Sequence, residues 1–133
     1  MDEGADMPAK ILAVVEDIFF LAKIQQTARQ LGITVESVAP DALQNSLAGS
    51  DAGAVLLDLN HRSGKAISAL EGLRTDPATR SVPVVAFLSH VQTDLGQAAR
   101  AAGCNRVMAR SAFSQQLPVL LQELSNKGNR IGD

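Results

Sequence analysis

The sequence is poor in several features that would point directly to a function. It holds a single cysteine, Cys104, which excludes an intrachain disulfide and a multi-cysteine zinc site and suits a reducing compartment. Lysine and arginine are scattered, without a basic run, and the formal net charge is -2. This balance offers no electrostatic surface for nucleic acid or for an anionic membrane. No apolar run approaches the roughly 20 residues of a transmembrane helix.

The N-terminal segment also lacks the apolar core of a signal peptide, because residues 1–8 (MDEGADMP) are acidic and polar. We expect residues 1–8 to be a disordered lead-in, residues 9–125 to form one domain and residues 126–133 to be a polar tail. With 133 residues, 46% of them hydrophobic, the chain is long enough for one core and too short for two. A soluble, cytoplasmic protein is expected.

What the sequence does contain is an alternation of short apolar runs with helical patterns. Runs typical of buried strands lie at 10–15, 53–59 and 82–88. An alternating run at 33–38 suits a shorter strand nearer the edge, and a short fifth strand is expected at 105–109. Apolar residues at three- and four-residue steps predict helices over 18–31, 40–47, 66–75, 95–102 and 114–124. Gly32 and Gly103 supply stop signals, and Pro118 falls in the first turn of the last helix, where its missing N–H costs little.

Strands and helices that alternate through short connections specify an α/β fold, a doubly wound five-stranded parallel sheet with helices on both faces. The flavodoxin-like strand order 2-1-3-4-5 fits best, because it places strands one and three side by side at the switch point. The carboxyl ends of these strands are where such sheets carry their chemistry.

Acidic residues stand at that edge. Asp58 ends the third run, while Glu16 and Asp17 follow the first, so the three carboxylates are expected to converge. Their mutual repulsion would raise at least one pKa, and a divalent cation would relieve it. Because Mg²⁺ prefers oxygen ligands, Asp17, Asp58 and the backbone carbonyl of Asn60 would form a sufficient set.

A carboxylate beside Mg²⁺ can act as a nucleophile toward a phosphoryl group, while the metal neutralises charge on the transferred oxygens. Asp58 is the candidate nucleophile. Ser89, after the fourth run, is placed to hydrogen-bond a phosphoryl oxygen, and Arg110, after the fifth, is placed to pair with one.

The motifs VVED (14–17), LLDLN (56–60), FLSH (87–90) and MARS (108–111), in this order and spacing, resemble those of the receiver domain of bacterial response regulators. The resemblance covers residues 9 to about 124. It implies that Asp58 is the phosphoacceptor, that Glu16 and Asp17 are the Mg²⁺-binding acidic pair, that the carbonyl of Asn60 ligates the metal and that Ser89 follows the phosphoryl group. It further implies a histidine kinase or phosphotransfer protein as donor, a downstream protein partner, and a possible homodimer through the fourth and fifth helices.

Three features depart from the family pattern. Arg110 and Ser111 stand where the family normally has lysine and proline, and a planar guanidinium differs from an ammonium in reach and hydration. Val107 replaces the aromatic switch residue, which removes the usual ring movement. The loop from Asn60 to Ser63 lacks the common proline and glycine.

Three functions therefore stay open. The first is a stand-alone signalling receiver that is phosphorylated on Asp58 and is not an enzyme. The second, motivated by Val107, Arg110 and Ser111, is an interaction module that works without phosphorylation. The third is a flavodoxin-like ligand binder or a phosphohydrolase. The acids after the first strand argue against a ligand binder, because a bound phosphate needs glycine and backbone N–H groups there. A hydrolase needs a second acid close after Asp58, and none is present, although His61 could substitute for it.

Five further residues admit alternatives. His61 and His90 lie near the same edge and either ligate a transition metal with the acids or are simply solvated. Cys104 has no evident base beside it, which predicts a small packed residue. Phe19 and Phe20 are adjacent on the first helix and cannot both face the core, so one is either an exposed partner surface or covered by another helix.

Overall fold

The computed structural model describes residues 10–89 and 93–127. The strands are β1 (Lys10–Val14), β2 (Val35–Ser37), β3 (Ala52–Asp58), β4 (Val84–Leu88) and β5 (Arg106–Ala109). The helices are α1 (Ile18–Gln30), α2 (Leu43–Ala48, after a 3₁₀ turn at Pro40–Ala42), α3 (Ala66–Thr75), α4 (Thr93–Ala101), α5 (Arg110–Gln115) and α6 (Leu117–Lys127). All strands are parallel, and their order β2-β1-β3-β4-β5 confirms the predicted topology.

The apolar runs are continuous because both faces of the sheet are covered. Along β3, Ala54 and Leu56 face α1, α5 and α6, whereas Val55 and Leu57 face α2, α3 and α4. All four side chains are fully buried. Two apolar layers therefore hold β3 at the centre of the molecule and fix where its carboxyl end emerges.

The helix stop signals act as expected. Gly32 and Gly103 have φ values of +74° and +99°, a region in which a side chain would be strained. The N–H of Gly103 donates to the carbonyl of Arg100, and the N–H of Gly32 donates to that of Arg29. These bonds end α4 and α1 one turn before the strands that follow.

The C-terminal helix differs from its prediction. A single helix over 114–124 was expected, but two helices occupy this region, and Gln116 lies between α5 and α6. The cause is Pro118, which has no N–H to donate to the carbonyl of Ser114 and so interrupts the hydrogen-bond ladder. The proline does lie in the first turn of α6, as predicted.

The expected bounds of the lead-in, the domain and the tail stay predictions. Helix α6 runs through Lys127, so the first two residues of the predicted tail at 126–133 are helical. The rest of that tail and the lead-in at 1–8 lie outside the described residues. Within residues 10–89 and 93–127, no helix has the length and apolar character needed to cross a bilayer.

Burial resolves the two phenylalanines and the cysteine. Phe20 points into the core with 7% of its surface exposed, while Phe19 is 83% exposed, and Ile18 beside it is exposed as well. Cys104 is half-buried and packs against the layer formed with α2, α3 and α4, as predicted. Burial raises the pKa of its thiol, which keeps the group protonated.

At the amino ends of β4 and β5, Arg74 joins three segments. Its guanidinium donates to the carbonyls of Gly103, Arg80 and Val82 at 2.8 to 3.0 Å and to Oδ1 of Asn105 at 2.9 Å. None of these partners is a carboxylate, and burial lowers the pKa of Arg74. This edge of the sheet is structural, which leaves the opposite edge for chemistry.

Candidate functional site

The predicted site residues all lie at the carboxyl edge of the sheet. Asp58 ends β3, and Glu16 and Asp17 follow the adjacent strand β1, whose Val14 is in register with Leu57. Ser89 follows β4 and Arg110 follows β5. Because the strands are parallel, their carboxyl ends lie at the same edge of the sheet.

Asp58 is the buried member of the site. Only 6% of its surface is exposed, and Oδ1 accepts the N–H of Asn60 at 2.9 Å. Burial raises the pKa of Asp58, an effect opposed by the N–H groups of Asn60 and Glu16 and by the charges of His61 and Arg110. In the described part of the chain, no basic side chain forms an ion pair with this carboxylate.

Asn60 links Asp58 to the next strand. Its side-chain oxygen accepts the backbone N–H of Ser89 at 2.6 Å, while its own N–H binds Asp58. The exposed Ser89 is thereby tied to the residue that follows the buried acid. The structure thus places Asp58, Asn60 and Ser89 together, as the motifs predicted.

Asp17 makes two sets of hydrogen bonds, neither of which was predicted. Its Oδ1 accepts the N–H groups of Phe19 and Phe20 at 2.9 and 3.1 Å, which makes it the N-cap of α1. Its Oδ2 accepts Nη2 of Arg110 at 2.8 Å. The bond from Arg110, with those from Phe20 and Phe19, holds the pKa of Asp17 below its ordinary value. The cap was visible in the sequence as an aspartate placed just before the first helical residue.

Arg110 is directed at Asp17 and not at Asp58. Its guanidinium carbon lies 4.1 Å above the ring centroid of Phe20, a cation–π contact. Phe20 in turn packs edge-on against Phe87, with centroids 5.2 Å apart, and against Phe113 at 5.9 Å. The guanidinium therefore stacks on a ring that belongs to a buried aromatic cluster, formed by Phe20, Phe87 and Phe113.

Glu16 also has an arginine partner, one that sequence reasoning missed. Its Oε1 accepts the backbone N–H of Arg62 at 2.5 Å, and its Oε2 pairs with Nε of the same residue at 2.9 Å. This bridge joins the loop after β1 to the loop after β3. No motif spacing marks Arg62, and its only sequence signal is a basic residue in the loop that follows Asp58.

His61 lies in a locally bonded turn. Its N–H donates to the carbonyl of Asp58 at 3.2 Å, and its Nδ1 accepts the N–H of Ser63 at the same distance. The hydroxyl of Ser63 accepts the N–H of Lys65. These bonds order the loop without the proline and glycine of the family pattern. His90, the other histidine considered for a metal, lies outside the described residues.

The site suits Mg²⁺ in its donor types but not in its present pairing. Across residues 10–89 and 93–127, no three His, Cys, Asp or Glu side chains lie close enough together to hold a metal ion. Asp17, Asp58 and the carbonyl of Asn60 offer only oxygen, as Mg²⁺ prefers. Of these acids, however, Asp17 is neutralised by Arg110, and the neighbouring Glu16 is neutralised by Arg62. A cation at Oδ2 of Asp17 would share that oxygen with the guanidinium of Arg110.

Comparison with known proteins gives a result at the level of structure. No protein-family model and no curated protein matches the sequence. The phosphorylated cyanobacterial phytochrome response regulator RcpA superposes with a TM-score of 0.74 at 19% identity, covering 95% of this chain and 99% of that one.

Two further solved structures agree. The receiver domain of the sensor histidine kinase PA1611 from Pseudomonas aeruginosa, with a magnesium ion coordinated in its active site cleft, has a TM-score of 0.77 at 23% identity and covers 90% of this chain and 98% of that one. The chemotaxis response regulator CheY4 of Vibrio cholerae gives 0.76 at 18% identity, with 88% and 98% covered. The chain has the fold of response regulator receiver domains.

Proposed function

We propose that the chain is a receiver domain that accepts a phosphoryl group on Asp58 from a histidine kinase or a phosphotransfer protein and then acts by binding a downstream protein. The observation that carries the proposal is Asp58 itself, a buried carboxylate at the end of the central strand, oriented by the N–H of Asn60. Arg62 and Arg110 are bound to other acids, so Asp58 is placed to act as a nucleophile. This role makes the chain a signalling domain and not an enzyme.

The neighbouring residues have defined tasks in this proposal. Asp17, Asp58 and the carbonyl of Asn60 are the oxygen donors for Mg²⁺. When bound, the metal would neutralise charge on the transferred phosphoryl oxygens. Ser89 offers its hydroxyl at the end of β4, where the Asn60 amide oxygen fixes its backbone. The magnesium ion in the PA1611 receiver domain supports the choice of cation.

The test is phosphorylation by a small donor. The protein is incubated with Mg²⁺ and acetyl phosphate, and the intact mass is measured. We expect a mass increase of one phosphoryl group in the wild type and none in Asp58→Asn. Asp51→Asn is the matched control, because Asp51 is an exposed aspartate just before the amino end of β3, and it should be modified like the wild type. Absence of the adduct with every small donor would contradict the proposal.

A second candidate, an interaction module independent of phosphorylation, is favoured by one observation. Glu16 and Asp17 already have arginine partners, so these two acids are neutralised without a metal. In that case the affinity for a protein partner, measured by calorimetry, should be the same for Asp58→Ala as for the wild type with or without donor. A loss of affinity on mutation or a change on phosphorylation would exclude this alternative. A homodimer through α4 and the predicted fifth helix at 114–124, most of which is α6, stays a prediction in either case.

The phosphate-binding alternative is weakened by the cap of α1. A nucleotide or flavin phosphate at this helix would use the first free backbone N–H groups, but those of Phe19 and Phe20 are bound by Asp17. The carboxylate of Asp17 therefore occupies the position in which a ligand phosphate would bind. A colourless preparation without turnover of a generic phosphomonoester is the expected result.

A further inference from the structure

Asp17, Phe20 and Arg110 form a closed triangle at the edge of the sheet. The backbone N–H of Phe20 binds one oxygen of Asp17, Arg110 binds the other, and the Phe20 ring lies beneath the guanidinium. Both oxygens of Asp17 are thus engaged by groups that also contact one another. The triangle is only partly open to solvent, with 32% of the Arg110 side chain and 40% of the Asp17 side chain exposed.

The guanidinium of Arg110 can make both of its contacts at the same time. A guanidinium is planar and weakly hydrated, so it can stack on an aromatic ring and bind a carboxylate with its edge at the same time. The aromatic cluster of Phe20, Phe87 and Phe113 is buried, and its packing holds the Phe20 ring in place. The cation is therefore held from two sides and occupies the position from which it neutralises Asp17.

A divalent cation on Oδ2 of Asp17 is disfavoured by this pairing. Mg²⁺ binds a carboxylate oxygen at about 2.1 Å, and Nη2 of Arg110 lies 2.8 Å from the same atom. The two cations would share one oxygen, in a setting that only partly screens their repulsion. Each therefore weakens the binding of the other.

We propose that Arg110 is a resident cation that competes with Mg²⁺ for Asp17, so that the divalent site reaches its full affinity only when the guanidinium moves off the carboxylate. This inference rests on the proposed function, because it describes how the metal site of a phosphoacceptor is regulated. Its consequence is a site with low affinity for Mg²⁺, in which a mutation at Arg110 increases metal binding.

The competition predicts a measurable gain. A partly exposed ion pair that competes for the same oxygen lowers affinity about fivefold to tenfold, which corresponds to about 1 to 1.4 kcal/mol. We expect Arg110→Gln to bind Mg²⁺ more tightly by about this factor in an NMR titration that follows the amides of Phe19, Phe20 and Asn60. Phe20→Leu, which keeps an apolar side chain but removes the stacking surface, should give a smaller gain of about threefold.

Arg106→Gln is the matched control. It removes the same charge from the same chain segment, but Arg106 is directed at Glu123, with 3.9 Å between Nη1 and Oε1, on β5 away from the acids. Its Mg²⁺ affinity should stay within about twofold of the wild type, since exposed charges at this range are screened by salt. A gain equal to that of Arg110→Gln would show a general charge effect and overturn the proposal.

A direct readout is the side-chain Nε–H resonance of Arg110, whose guanidinium carbon lies over the Phe20 ring. Saturation of the wild type with Mg²⁺ should move this resonance toward that of a free arginine. An unmoved resonance at saturation, an unchanged affinity in Arg110→Gln, or no Mg²⁺ binding by either protein would each refute the competition. Dispersed amide spectra of the variants confirm that they are folded.

The same samples separate this inference from the proposed function. An acetyl phosphate adduct on Asp58, together with equal Mg²⁺ affinities for wild type and Arg110→Gln, rejects the competition and leaves the phosphoacceptor role intact. Tighter Mg²⁺ binding by Arg110→Gln without an adduct in either protein supports the competition and rejects the phosphoacceptor role.

Discussion

Replacement of Asp58 by asparagine should stabilise the protein at neutral pH. The carboxylate is 6% exposed and forms no ion pair within the described residues. Backbone N–H groups of Asn60 and Glu16 offset only part of the cost of burying its charge. A neutral amide of the same shape removes that cost. We expect a gain on the order of 1 kcal/mol, or about 3 to 5 °C in Tm for a domain of this size.

The pH dependence of this gain has a definite sign. Burial raises the pKa of Asp58 above 3.8 in the folded state, so the folded protein binds the proton more tightly than the unfolded chain. Ionisation therefore costs stability at every pH above the raised pKa. The advantage of Asp58→Asn should be full at neutral pH, decrease as pH falls through the folded pKa, and vanish below 3.8, where both states are protonated.

Urea denaturation at pH 7 and at pH 4, in EDTA to exclude metal, measures this difference. Asp51→Asn serves as the control and should not change stability, because Asp51 is exposed. A variant Asp58→Asn that is no more stable than wild type at pH 7 would refute the reasoning. So would a gain that is the same at both pH values, since it would not arise from ionisation.

Two other substitutions test the interactions at the two edges of the sheet. Asp17→Ala removes the cap of α1 and the partner of Arg110, and urea denaturation should show a loss of about 1 to 2 kcal/mol. Asp17→Asn keeps a capping oxygen and should lose less; equal losses would contradict the capping role. Arg74→Ala deletes four hydrogen bonds to three carbonyls and Asn105, and thermal melts should show a loss of about 2 to 3 kcal/mol. Arg80 is exposed, so Arg80→Ala should leave stability nearly unchanged. A loss similar to that of Arg74→Ala would show that the hydrogen bonds of Arg74 do not cause the effect.

Much of the fold was readable from the sequence because parallel strands buried on both faces leave uninterrupted apolar runs. The run at 53–59 marks β3 to within one residue, and the alternation of runs and helices restricts the strand order. The run at 82–88 was extended too far, since Val82 and Pro83 precede β4. Strand ends are less visible because apolar residues also pack in the adjoining loops.

The site was predictable in position but not in pairing. Backbone topology alone brings Asp17, Asp58 and Ser89 to one edge, so their places followed from the order of the strands. The partners of the acids depend on side-chain conformation, which no spacing encodes. Arg110, which is expected to pair with a phosphoryl oxygen, binds Asp17 over the ring of Phe20, and no spacing predicted these two partners. Arg62 carries no motif at all.

The bonds of Arg74 have a consequence for how the molecule opens. One side chain ties the carbonyls of Arg80 and Val82, which precede β4, to Gly103 and Asn105, which precede β5, and Asn105 also accepts the N–H of Val84. Segments that are joined by hydrogen bonds to one side chain are expected to open, and to exchange their amide hydrogens, as one cooperative unit. Hydrogen exchange in the wild type should therefore show β5 and the start of β4 opening together. Without Arg74, the edge strand β5 should exchange ahead of β4.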